Sequence, residues 1–68
     1  MLVNQNSTKE LLYSIEVGDT VNDGKGNHGE VTKVDIFKFR KFIQYIFRIK
    51  NDGKIEITKS ILFTLPHI

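Results

Sequence analysis

The chain has 68 residues, a formal net charge of +2, 26% charged residues and no cysteine. That length allows one domain with a small core, and the lack of thiols excludes a disulfide staple or a thiolate metal site, so apolar packing must hold the fold. The opening "MLVNQNSTKE" has no basic stretch leading into an apolar one, and no apolar run is long enough to span a bilayer; a cytoplasmic protein without a membrane partner is expected.

Residues 1–12 read as an N-terminal extension, either a short helix or disordered, and residues 13–68 as the folded domain. In "STKELLYS", Ser7 and Glu10 have capping-box spacing ahead of Leu11 and Leu12, but the pattern fades at "IEVGD", which limits the helix to one or two turns. Everything after that reads as strand and turn. Five antiparallel strands are expected near 15–22, 29–39, 41–50, 54–59 and 63–65.

In the third of these, Ile43, Tyr45, Phe47 and Ile49 fall on one face. "NDG" at 51–53 is a strong turn signal, and "KIEIT" after it places Ile55 and Ile57 inward, so the two strands form a hairpin. In the second strand, Val31 is out of phase with Val34 and Ile36; a β-bulge near Thr32 and Lys33 brings all three to one side and bends the strand. The expected core is Val21, Val31, Val34, Ile43, Tyr45, Phe47, Ile55, Ile57 and Leu62. "KSILF" suggests a 3₁₀ turn before a closing edge strand that ends at Pro66.

Four of the five glycines lie within "GDTVNDGKGNHGEVTKV", residues 18–34. Their first explanation is turn chemistry: glycine supplies positive φ, and Asp19 accepts backbone N–H groups in the turn after Gly18. The order of Val17-Gly18-Asp19-Thr20-Val21, a glycine-bearing loop, and Gly29-Glu30-Val31-x-x-Val34 also resembles the KOW and Tudor-like group of SH3-like barrels. It is similar as well to the Tudor-like tail domain of bacterial DNA-repair helicases. The resemblance covers residues 15–35. It implies an all-β, small five-stranded SH3-like barrel that binds nucleic acid, ribosomal parts, RNA polymerase or other proteins.

Signs of chemistry are sparse. "GKGNHG" lacks the Gly-Lys-Ser/Thr ending of a phosphate loop. His28 and His67 have no second ligand at metal spacing, and the carboxylates Asp19, Asp23, Glu30 and Asp35 read as a solvated face. No enzyme, metal or cofactor is expected.

The exception is "FKFRKFIQYIFRIK". From residue 36 to 50 there are five cations and no acid, leaving five cations against eight acids elsewhere. Five aromatics fall within the eleven residues from Phe37 to Phe47, more than one face of two strands can bury. Most of those rings must be core, yet Phe39 or Phe42, flanking a turn at Arg40 and Lys41, is expected to be exposed for a partner or for self-association. Lys38, Phe39, Arg40, Lys41, Phe42, Arg48 and Lys50 thus form a candidate basic-aromatic stripe, which Lys25 and His28 extend if the barrel brings their loop to that side. Cations paired with rings suit phosphates and bases. The expected function is a small binding module associated with nucleic acid or a nucleoprotein complex. The alternative is a protein-interaction regulator of the kind phages encode, docking on a host protein such as RNA polymerase or a nuclease.

Overall fold

The computed structural model describes residues 1–60. Its elements are helix α1 (Lys9–Ser14) and strands β1 (Thr20–Asn22), β2 (His28–Lys38), β3 (Phe42–Ile49) and β4 (Lys54–Ser60), with a 3₁₀ turn at Lys50–Asp52. The strands form one antiparallel meander in the order β1-β2-β3-β4. The small all-β class is therefore right, but the described residues make an open four-stranded sheet, not the closed five-stranded barrel expected. The strand expected at 63–65, Leu62 and most of the 3₁₀ turn expected over "KSILF" lie outside the described residues; the first two residues of that turn, Lys59 and Ser60, instead continue β4.

β1 is much shorter than the expected 15–22. Asp19 donates its N–H to the Glu16 carbonyl and accepts the Glu16 N–H on its carboxylate, while Gly18 sits at φ +101°. That turn ends the regular ladder of β1 at Thr20 and leaves Val17 exposed, although the Gly18 N–H still donates to the Val31 carbonyl and the Asp19 carbonyl accepts the Val31 N–H. The helix is capped by Thr8, one residue later than the capping box implied: its Oγ1 accepts the Leu11 N–H, whereas Ser7 Oγ accepts the Asn4 N–H. Six residues cannot sustain a helix alone. Leu12, fully buried, and Tyr13, edge-on to Tyr45 at 5.4 Å, hold it on the sheet.

The bulge lies where the phase of the valines puts it. Val31 pairs with Ile49 and Lys33 with Arg48, so Thr32 is the extra residue, and after it Val34 faces Phe47 and Ile36 faces Tyr45. The buried core comprises Val3, Leu12, Ile15, Val21, Val31, Ile43, Tyr45, Phe47, Ile49, Ile55 and Ile57, with Val34 and Ile36 half-buried against it. Val34 is thus less enclosed than expected.

The sheet's two edges are β1 and β4, and one segment touches both. The Val3 N–H donates to the Asn22 carbonyl and the Asn22 N–H to the Met1 carbonyl, a parallel bridge centred on Leu2. Two residues on, the Gln5 amide accepts the Thr58 N–H (3.1 Å) and donates to the Thr58 carbonyl (3.2 Å). The sheet therefore coils until its edges are one chain's width apart, with Val3 fully buried in the gap.

Candidate functional site

The register sorts the side chains of β2, β3 and β4 into two faces. On the inner face lie the core rows, ending at Lys38, Ile43 and Lys59. The outer face has four rows: Lys33, Arg48 and Lys54; Asp35, Ile46 and Glu56; Phe37, Gln44 and Thr58; and last Phe42 with Ser60. Phe39 adjoins Phe42 there, donating its N–H to the Phe42 carbonyl across a two-residue tip formed by Arg40 and Lys41.

This geometry splits the stripe in two. Arg40 and Lys41 are exposed at the tip, and neither makes an ion pair among the described residues. Beside them Phe37 and Phe39 are each 46% exposed, and Phe39 stacks on Phe42 with centroids 4.6 Å apart and planes 29° apart. Lys38 belongs to the inner face; its Nζ lies 6.0 Å from the centre of the Tyr13 ring. Lys59, also inward, donates to the Gln5 carbonyl.

Arg48 and Lys50 stand at the opposite end, about 25 Å along β3 from the tip. Arg48 Nε is 3.9 Å from Asp35, and Lys50 Nζ is 3.1 Å from Glu30. Lys33 shares Asp35 at 3.9 Å, and Lys54 is 2.9 Å from Glu56. The far end of the cation run, free of acids in sequence, is therefore paired with acids in space, supplied by β2.

Lys25 and His28 lie at that same paired end, where Gly29 comes close to the Lys50 carbonyl. They cannot extend the tip. Their loop is built by Asp23, whose carboxylate accepts the Asn27 side-chain amide (2.9 Å) and the N–H groups of Lys25 and Asn27. These bonds, led by the Asn27 amide, hold its pKa below the ordinary carboxylate value. Gly24 and Gly26 take φ of +74° and +107°, so turn chemistry accounts for them.

A groove of ≈ 260 Å³ separates the N-terminal segment from β4. Asp23, Lys25, Lys54 and Glu56 on its walls leave it without a dominant sign of charge. Among the described residues no three His, Asp or Glu side chains gather as a metal site would require, and no helix is long and apolar enough to cross a membrane.

Sequence reasoning missed Phe37 as a surface ring and the acids as partners of the cations. The first follows from the bulge, which turns Phe37 outward once Val34 and Ile36 turn in. The second depends on the β2–β3 register, which sets Asp35 opposite Ile46, next to Arg48, and brings Glu30 to Lys50.

No protein-family model, curated protein or solved structure matches this chain.

Proposed function

We propose that the protein is a small, non-enzymatic, cytoplasmic binding module that associates with nucleic acid, or with a nucleoprotein complex, through the tip of the β2–β3 hairpin. In this reading its fold belongs with the KOW and Tudor-like SH3-like barrels. The bent second strand, the glycine loop and the near approach of the sheet's edges support that placement.

One observation carries the functional reading. At the tip, Arg40 and Lys41 are exposed beside the half-exposed rings of Phe37 and Phe39, and among the described residues they have no ion-pair partner and the last two outer rows contain no acid. Cations left unneutralised attract phosphates, and exposed rings offer a face to bases. Arg48, Lys50, Lys25 and His28 are not part of this surface.

The test is binding of labelled single- and double-stranded nucleic acid at low and high salt, by the parent and by the Arg40→Glu, Lys41→Glu double variant. Binding that weakens with salt and disappears in the double variant is expected. The exposed Phe37 and Phe39 favour the second reading, a protein-docking surface; absence of nucleic-acid binding at low salt, with salt-resistant capture of a protein partner, would establish it instead.

A further inference from the structure

Resting on the nucleic-acid reading, we infer that the ligand is a single strand held extended across the outer face of the sheet, with one base on Phe37 and the next on Phe39. Phe37, in β2, and Phe39, just past its end, are two residues apart, a backbone spacing of about 6.6 Å in an extended chain. Stacked bases in a duplex are about 3.4 Å apart. Neighbouring bases on these rings must therefore be parted from each other, which a duplex does not permit and an extended strand does.

The rings differ in support. Phe39 is braced by Phe42 behind it, 4.6 Å between centroids, so it offers a fixed platform. Phe37 has the half-buried Gln44 beside it and Thr58 beyond, an amide and a hydroxyl in line with its row. The base on Phe37 thus meets hydrogen-bonding groups at its edge, and the base on Phe39 meets aromatic surface and the two free cations. Charge complementarity confines the strand to this half of the face. The other half carries Asp35 and Glu56, each already beside a cation.

The geometry also fixes how many phosphates are contacted. With Lys38 on the inner face and Arg48 and Lys50 at the far end, only Arg40 and Lys41 remain. Two contacts on a single strand give a slope of log K against log salt of about −1.4, whereas a stripe of five cations gives about −3.5.

The experiment measures anisotropy of a labelled ten-residue oligothymidylate, an abasic chain of equal length and a duplex of equal length, from 50 to 200 mM salt. The oligothymidylate is expected to bind at least 10-fold more tightly than either control, with a slope near −1.4. Phe37→Ala and Phe39→Ala are each expected to weaken it about 5- to 100-fold without changing the slope. Phe39→Trp is expected to retain binding, and since the chain has no tryptophan, its fluorescence is expected to be quenched on binding. Equal binding of the abasic chain or the duplex, or an unquenched tryptophan in a bound complex, would overturn the single-strand inference and leave the nucleic-acid reading standing. No binding of any of the three at 50 mM salt would overturn both.

Discussion

The two ends of the β2–β3–β4 sheet are built from similar residues and do opposite things with them. At the end near the 3₁₀ turn, Lys33, Arg48, Lys50 and Lys54 each have a carboxylate within 4.0 Å. At the tip, Arg40 and Lys41 have none among the described residues, and rings replace the acids. Exposed ion pairs contribute little to stability, about 0–1 kcal/mol each, so the paired end gains mainly local neutrality. The tip keeps its field and its apolar surface. The lesson is that the density of cations along a chain does not measure the potential they create; the facing strand decides it.

The largest effect tests what both ends share. Phe47 is fully buried in the core beneath the sheet. Phe47→Ala is expected to cost about 3–5 kcal/mol, close to the whole stability of so small a domain, and to abolish cooperative thermal unfolding. A melting point within a few degrees of the parent would remove Phe47 from the centre of the core.

Charge reversal then separates the ends. Arg40→Glu with Lys41→Glu is expected to abolish nucleic-acid binding at 50 mM salt and leave the melting temperature within about 2 °C. Arg48→Glu with Lys50→Glu is expected to do the reverse, keeping affinity within about 3-fold while lowering stability, since the new carboxylates face Asp35 and Glu30. If both pairs reduced affinity alike, the comparison would fail and a continuous stripe would return.

A smaller effect lies in the core near the tip. Burial, with the adjacent Tyr13 second, pushes the Tyr45 hydroxyl from 10.0 up to about 12, and its oxygen has no hydrogen-bond partner among the described residues. The unfolded chain ionises first, so stability is complete below pH 10 and falls as the pH rises from 10 towards 12. Tyr45→Phe is expected to flatten that alkaline limb and to raise stability at neutral pH by about 1 kcal/mol. An unchanged limb, followed by circular dichroism, would count against it.

The smallest effect belongs to the paired end. The pKa of Asp23 is lowered on folding, so its contribution is present above 3.8 and lost as the pH drops through the folded value. Asp23→Asn is expected to erase this acid-side loss, and faster exchange of the Lys25 and Asn27 amide protons is expected to accompany it.

Much of the sheet was legible because its signals are local. Alternation in "FIQYIFRI", the Asn51 and Asp52 turn, both at positive φ, and the phase slip around Thr32 each depend on a few neighbouring residues. What escaped depends on partners distant in sequence. Val3 becomes core only because the N-terminal segment lies between the sheet's edges, and nothing in "MLVNQ" signals that. The site divides in the same way. Exposure of one of Phe39 and Phe42 at the turn was legible, though not that it is Phe39; neutralisation of Lys50 by Glu30, twenty residues away, required the register.

The bridging of both edges by residues 1–5 bears on how the molecule behaves at high concentration. An unpaired strand edge is a template on which another chain can build, and this sheet covers one edge with backbone and the other with a single glutamine amide. Among the described residues, removal of that segment would uncover both edges at once. Each molecule then has a site to extend and a site to be extended, which is the condition for open-ended growth into filaments. The same five residues that fill the gap in the core thus also cover, among the described residues, the two edges on which such growth would begin.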